Sequence, residues 1–371
     1  MLLHEITNYL ERWAPIPLQE SYDNSGLLIG HPGQEITGAL ITLDVTEEVL
    51  KEAAENNCNL IIAHHPLIFG GLKKLNGKNM VERIAIAAIK NDIAIYAIHT
   101  NLDNTISGVN RKIADKIGLK HCKILDMKRQ VLRKLITFCP DTKLDDGRQA
   151  PDAVREALWA AGAGNIGNYD KCSTNSKITG TFRANEDADP LIGEEGELVR
   201  QEEERIEVIF PFYKQNDIIK ALWDTHPYEE VAYDILTLEN EFQETGSGMI
   251  GELETEMDEM QFLHHLKKTM QTDCVRYSPL TNQKIKWVAV CGGSGQFLLK
   301  TAMAKGAHAF VTADFKYHQF FDAEGKILIA DIGHYESEQF TVELIYDKLK
   351  EKFSTFALLK SKVNTNPINY L

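Results

Sequence analysis

The 371-residue chain predicts an α/β core of parallel-rich sheets flanked by helices, split in sequence by an inserted α+β domain. Three observations predict it. Short, almost wholly apolar runs alternate with amphipathic helical stretches up to about residue 120, the pattern of strands buried on both faces. The same alternation returns towards the end of the chain. Between the two halves, glycine, asparagine and glutamate interrupt the pattern.

The elements are justified in order. Residues 1–15 place Glu5 and Glu11 among Leu and Ile at helical spacing. With no cationic start and no long apolar centre, they read as a mature amphipathic helix and not as a leader. Residues 39–45 read as a strand and 46–55 as a helix with Thr46 as N-cap. A strand ending in His64-His65 follows, then a helix over 79–90 and a strand over 93–98 that leads into His99-Thr100-Asn101-Leu102-Asp103. In the last third, strands are predicted over 287–291, 309–312 and 326–331, with helices over 296–305 and 335–352. The middle segment offers a strand at 134–138, a helix over 151–162, a Gly/Asn stretch and an acidic run. It continues with a strand at 205–211, a helix at 217–225 and a strand at 228–238. With one further strand between the two helices, this is the β-α-β-β-α-β order of the ferredoxin-like signature. The predicted division is therefore 1–130 (core), 131–240 (insert) and 241–371 (core). The acidic run, Glu194 to Glu204, reads as a solvated loop or strand edge.

The chemistry is expected where strands end. Asn59-Leu60-Ile61-Ile62-Ala63-His64-His65-Pro66 is an apolar run that stops on two imidazoles. Pro66 cannot extend a ladder and holds His65 extended. Neighbouring strand side chains point to opposite faces, so both rings share a site only where the strand breaks up. Parallel strands gather their carboxyl ends on one edge. That edge receives His64 and His65, then His99 and Asp103, then Asp314 and His318, and finally His334 and Glu338. The last two, four apart at the start of a helix, share a face.

His64, His65, Asp103, His334 and Glu338 form a mixed nitrogen and oxygen set suited to Zn, Mn, Fe or Co. Five ligands exceed one closed structural zinc and suit two divalent ions about 3.5–4 Å apart, with Glu338 as the bridge. His99 and His318 are the candidate proton shuttles. By contrast His264-His265 lies in a helical pattern and reads as helix surface. The run Gly292-Gly293-Ser294-Gly295, between a strand and a helix, could hold a phosphate or other anion on its backbone N–H groups. A strand-to-helix turn needs glycine in any case, and nothing beside Cys291 activates its thiolate.

The bulk numbers exclude some partners. A formal net charge of -14 argues against nucleic acid, and no apolar stretch is long enough to span a bilayer. The six cysteines are scattered without a C-x-x-C pair, as expected for reduced thiols in a cytoplasmic protein.

Several motifs in one order resemble the Nif-three-like family, the dinuclear-metal proteins labelled GTP cyclohydrolase 1 type 2 homologs. They are Asp23-Asn24-Ser25-Gly26-Leu27-Leu28-Ile29-Gly30, Leu43-Asp44-Val45-Thr46, Ala63-His64-His65-Pro66 and His99-Thr100-Asn101-Leu102-Asp103. Gly292-Gly293-Ser294-Gly295 and Gly333-His334 with Glu338 complete them. The resemblance implies metal ligands at His64, His65, Asp103, His334 and Glu338, and a ring-shaped homohexamer with its metal centres facing an internal cavity. The chain departs from the family pattern at Ser25 and at Thr312-Ala313-Asp314, and His318 matches only some members. The insert resembles PII-like and CutA-like domains through residues 161–169 and His226-Pro227-Tyr228-Glu229-Glu230. Two functions follow as expectations. One is a metal-dependent hydrolase of a nucleotide or related phosphorylated small molecule, with GTP cyclohydrolase chemistry implied by the family label. The alternative is a non-enzymatic metal or metabolite sensor, or interaction protein, that uses the insert.

Overall fold

The computed structural model describes residues 1–371 and divides them into two compact units, Met1–Met127 with Gln243–Leu371, and Lys128–Phe242. In the first unit, a five-stranded sheet has the order Gly26–Ile29, Ala94–Ala97, Leu60–Ala63, Ala39–Thr42, Leu358–Lys360. Its pairings are parallel except the first. A six-stranded sheet has the order Arg276–Tyr277, Leu328–Asp331, Ala309–Ala313, Lys284–Ser294, Gly246–Asp258, Leu119–Met127, with two parallel pairings at its centre.

The apolar runs are continuous because both faces of these strands are covered. Ile41, Ile62 and Tyr96 face a core shared with Val288, Val290 and Val311 of the second sheet. Helices Leu3–Trp13, Val109–Ile117, Glu259–Thr269 and Thr341–Lys352 add Leu10, Ile113, Phe262 and Ile345 to that core. The alternate residues Leu40, Ile61 and Ile95 point the other way, onto Val49, Leu50, Ile84 and Ala88 of helices Glu47–Glu55 and Met80–Lys90. Both of these helices start where a side chain caps them. Thr46 Oγ1 accepts from Val49 N–H at 3.2 Å, and Asn79 Oδ1 accepts from Glu82 N–H at 2.9 Å.

Two expectations about this unit need correction. The single helix expected over 335–352 is two helices, His334–Glu338 and Thr341–Lys352. The turn between them is pinned by Gln339, whose Nε2 donates to the Met270 carbonyl at 2.9 Å. The helix expected over 296–305 is a 3₁₀ turn, Gln296–Leu298, running into the short helix Leu299–Ala304, and the preceding strand extends through the glycine run to Ser294.

The second unit is a four-stranded antiparallel sheet in the order Thr174–Arg183, Leu198–Pro211, Leu132–Pro140, Tyr233–Thr237. Helices Ala150–Ala160 and Gln215–Thr225 pack Val154, Leu158, Ile218 and Leu222 onto Leu135, Val208 and Phe210. Thr174–Arg183 was not recognisable as a strand, because it is polar and largely exposed. Glu202, Glu203 and Glu204 lie within Leu198–Pro211. Glu204 pairs with Arg155, and Glu203, 8% exposed, accepts from the Tyr228 hydroxyl at 2.9 Å. The strand expected over 228–238 starts only at Tyr233. Pro227 lies in a bend in which His226 Nδ1 accepts from Tyr228 N–H at 3.2 Å. No helix is long and apolar enough to cross a membrane.

Candidate metal centre

The strand Leu60–Ala63 ends one residue before His64, yet the ladder register carries on. His64 N–H donates to the Thr42 carbonyl at 3.2 Å and His65 N–H to the Leu43 carbonyl at 2.9 Å. Both imidazoles are thereby held at the strand end, their ring centroids 5.0 Å apart. His99 follows the neighbouring strand Ala94–Ala97, with its ring 5.3 Å from His64 and 5.4 Å from His65. His334 and Glu338 arrive from the other sheet on the short helix that follows Leu328–Asp331. The His334 ring lies 5.3 Å from His65.

Each imidazole has its Nδ1 taken by an acceptor. His64 donates to the Ile98 carbonyl (2.9 Å) and His65 to Asp44 Oδ1 (2.7 Å). His99 donates to Asp23 Oδ1 (2.8 Å) and His334 to Asp314 Oδ2 (2.7 Å). Such partners fix the tautomer and the ring plane, leaving Nε2 as the ligand atom. The four partners come from unrelated places. Asp44 lies two residues past the end of Ala39–Thr42, so the strand-end rule could have found it. Asp23 precedes the antiparallel strand Gly26–Ile29, and the Ile98 partner is backbone, so neither gives a spacing signal.

Glu338, 3% exposed, is the common neighbour. Its Oε2 lies 3.0 Å from His65 Nε2 and 3.2 Å from His334 Nε2, and its Oε1 lies 3.9 Å from His64 Nε2. Two overlapping groups bring their ligand atoms within 4.8 Å of one another: His64, His65 and His99, and His65, His334 and Glu338. Asp103 adds Oδ1 at 3.7 Å from His64 Nε2. That separation is too long for a hydrogen bond, and both atoms are buried without a partner. Two orphaned ligand atoms facing each other across a gap are what a divalent cation satisfies, so these residues fit a metal.

The protonation states agree. Burial opposes charge on His65, but Asp44 and Glu338 outweigh it and raise the ring to about 10. His334 is raised to about 11 against burial by Asp314 and Glu338. Burial would raise Glu338, but His334, His64 and His65 hold it well below the usual carboxylate range. Asp103 is raised by burial despite His64 and His99. In the metal-free site, protons sit where a cation would go.

The glycine run serves the site sterically. Gly293 has φ +59, and a Cβ there would stand 2.5 Å from Glu338 Oε1 and 3.2 Å from His334 Nε2. Two of the amides expected to be free for an anion are occupied: Gly292 N–H donates to Asn110 Oδ1 (3.0 Å) and Gly293 N–H to Ser337 Oγ (2.9 Å). Ser294 is exposed, and Gly295 is buried with Thr312 and Cys291 where its Cβ would be. Burial, with Asp103 and Glu338 beside it, raises the Cys291 thiol far above its ordinary value. His318 is not brought to the site. It lies exposed on the 3₁₀ helix Tyr317–Ala323, its ring 5.1 Å from Tyr317. His264 is exposed and bonds to the Met260 carbonyl of its own helix, as expected, whereas His265 is half-buried and bonds to the Ile117 carbonyl at the end of Val109–Ile117 (both 2.7 Å).

The centre opens into a cavity of about 740 Å³ lined by His65, His99, Asp103, His334 and Glu338, together with a broad apolar surface. Fold and site together define an α/β protein with a cluster of histidines and carboxylates between two sheets that could hold a metal. The Duf34/NIF3 (NGG1p interacting factor 3) family model matches residues 1–367, and the chain belongs to that family. A protein of Halalkalibacterium halodurans named GTP cyclohydrolase 1 type 2 homolog is 40% identical, covering 99% of this chain and 98% of that one. A Bacillus subtilis protein of the same name is 36% identical over 99% and 98%. A crystal structure of a Bacillus cereus protein related to NIF3 is similar with a TM-score of 0.85 and 38% identity, covering 100% of this chain and 99% of the other.

Proposed function

We propose that the protein holds two divalent ions, Zn, Mn, Fe or Co, on His64, His65, Asp103, His334 and Glu338, and is a metal-dependent hydrolase of a nucleotide or related phosphorylated small molecule. The observation that carries this reading is the set of imidazoles whose Nδ1 protons are all committed elsewhere, so that each Nε2 is left for a ligand role around Glu338 and Asp103. Glu338 touches His65 with the same oxygen that meets His334 and turns the other towards His64, which suits a bridging role. Bound ions supply Lewis-acid activation of water and of the electrophile. His99 lines the cavity with its Nδ1 proton tied to Asp23, and takes the proton-shuttle role. Of the glycine run, Gly292 and Ser294 line the cavity and are the proposed substrate-facing residues, while Gly293 and Gly295 are buried behind them. The names of the curated relatives support a nucleotide substrate class.

The same reading takes 1–130 and 241–371 as one core and 131–240 as a ferredoxin-like, PII/CutA-like insert, in a cytoplasmic homohexamer. All six cysteines are free, in keeping with a reducing compartment. The decisive experiment is metal analysis of protein purified from its own host, with turnover assayed on a panel of nucleotides and phosphoesters. Metal at two ions per chain and turnover lost in Glu338→Ala support the proposal; metal-loaded protein that leaves the whole panel untouched refutes the hydrolase.

The rival reading is a non-enzymatic metal or metabolite sensor, or interaction protein, that uses the four-stranded second unit. It predicts ligand-dependent changes in partner binding that survive Glu338→Ala.

A further inference from the structure

The cavity over the metal centre has an unusual wall. None of its lining residues is lysine or arginine, while Glu20, Asp44, Asp103 and Glu338 all line it. Two divalent ions would bring about as much positive charge as these four carboxylates carry negative, leaving a nearly neutral chamber. A nucleoside triphosphate carries about four negative charges and is ordinarily held by lysine, arginine or a run of free backbone amides. Here the Gly292 and Gly293 amides already donate to Asn110 and Ser337. One anionic group can be met at the ions; a chain of three phosphates meets no lysine or arginine beyond them.

The wall also carries exposed aromatic rings. Tyr22, Phe69 and Phe297 line the same cavity and are 67%, 52% and 63% exposed. Phe69 stands edge-on to His99, ring centroids 5.6 Å apart at 88°, which fixes a flat apolar face beside the centre. Exposed rings around a polar centre suit a planar heteroaromatic, because every base offers a π-face for stacking. The volume, about 740 Å³, accommodates a nucleotide-sized ligand.

We infer that the site selects a planar heteroaromatic base carrying a single phosphate, with the ring on Phe69 and Phe297 and the one anionic group at the metal centre, and discriminates against the triphosphate. The inference rests on the two-ion reading above and narrows its substrate class.

The test is calorimetric binding of AMP, GMP, GTP and ribose 5-phosphate to the metal-loaded full-length protein and to its Phe69→Ala and Phe297→Ala variants, with metal content measured on every sample. At least one purine monophosphate is expected to bind tenfold or more tightly than GTP and than ribose 5-phosphate. Each phenylalanine variant should weaken that monophosphate by roughly fivefold or more, leaving ribose 5-phosphate and metal content unchanged. GTP binding as tightly as GMP, phenylalanine variants that bind like the parent, or no binding of either purine monophosphate would each overturn the inference. A parent protein that takes up no metal refutes the metal reading instead, and the metal measurement keeps the two failures apart.

Discussion

His334 and Glu338, one turn apart on a five-residue helix, place Nε2 and Oε2 3.2 Å from each other while His334 Nδ1 is held by Asp314 at 2.7 Å. One short helix thus brings two candidate ligand atoms together. A neighbouring carboxylate fixes the tautomer of one of them.

The orienting carboxylates give the first prediction. Asp44→Asn and Asp314→Asn keep the shape of each side chain but weaken the acceptor for His65 and His334. Metal affinity should fall about 10- to 100-fold in each, measured by competition with a chromophoric chelator. His318→Ala, remote from the cavity, should leave affinity unchanged.

The pH dependence has opposite signs with and without metal. In the metal-free protein His65 and His334 are raised to about 10 and about 11, above the roughly 6.5 of a free imidazole. Their contribution to stability is complete below about pH 6.5 and is lost as pH climbs through the folded values. The metal-free protein should therefore melt at a lower temperature near pH 9.5 than near pH 6.5. Metal competes with the same protons, so affinity should rise over that range, with protons released on binding. Melting scans of both forms, and titration calorimetry in buffers of different ionisation heat, check the two signs.

Gly293→Ala combines a left-handed backbone at φ +59 with a Cβ 2.5 Å from Glu338 Oε1. The backbone alone costs on the order of 1–2 kcal/mol. Displacement of Glu338 should also lower metal content, which separates this variant from an ordinary destabilising one when both melting temperature and bound metal are measured.

Thr46→Ala supplies the contrast. It removes the cap on Val49 N–H and should cost about 1 kcal/mol in denaturant unfolding without altering metal affinity.

Much of the centre was legible because strand ends are legible. Apolar runs stopping at His64-His65 and at His99, and the four-residue spacing of His334 and Glu338, each declare a local geometry. The helix cap at Thr46 was visible for the same reason: it depends on a residue three positions on. What escaped was either polar and exposed, like the strand Thr174–Arg183, or set by distant packing, like the break at Gln339 that separates the metal-site helix from Thr341–Lys352.

By itself, then, the sequence determined the alternation of strand and helix and placed the ligand types at strand ends, because both are periodicities of a few residues. Only the tertiary structure decided that His334 meets His65 across two sheets, that Asp23 and Asp44 orient His99 and His65, and that His318 stays outside. It also turned the glycine run from an expected anion loop into the clearance Glu338 requires. Those outcomes depend on how sheets pack and on a few tenths of an ångström between atoms far apart in the chain, which no local pattern encodes.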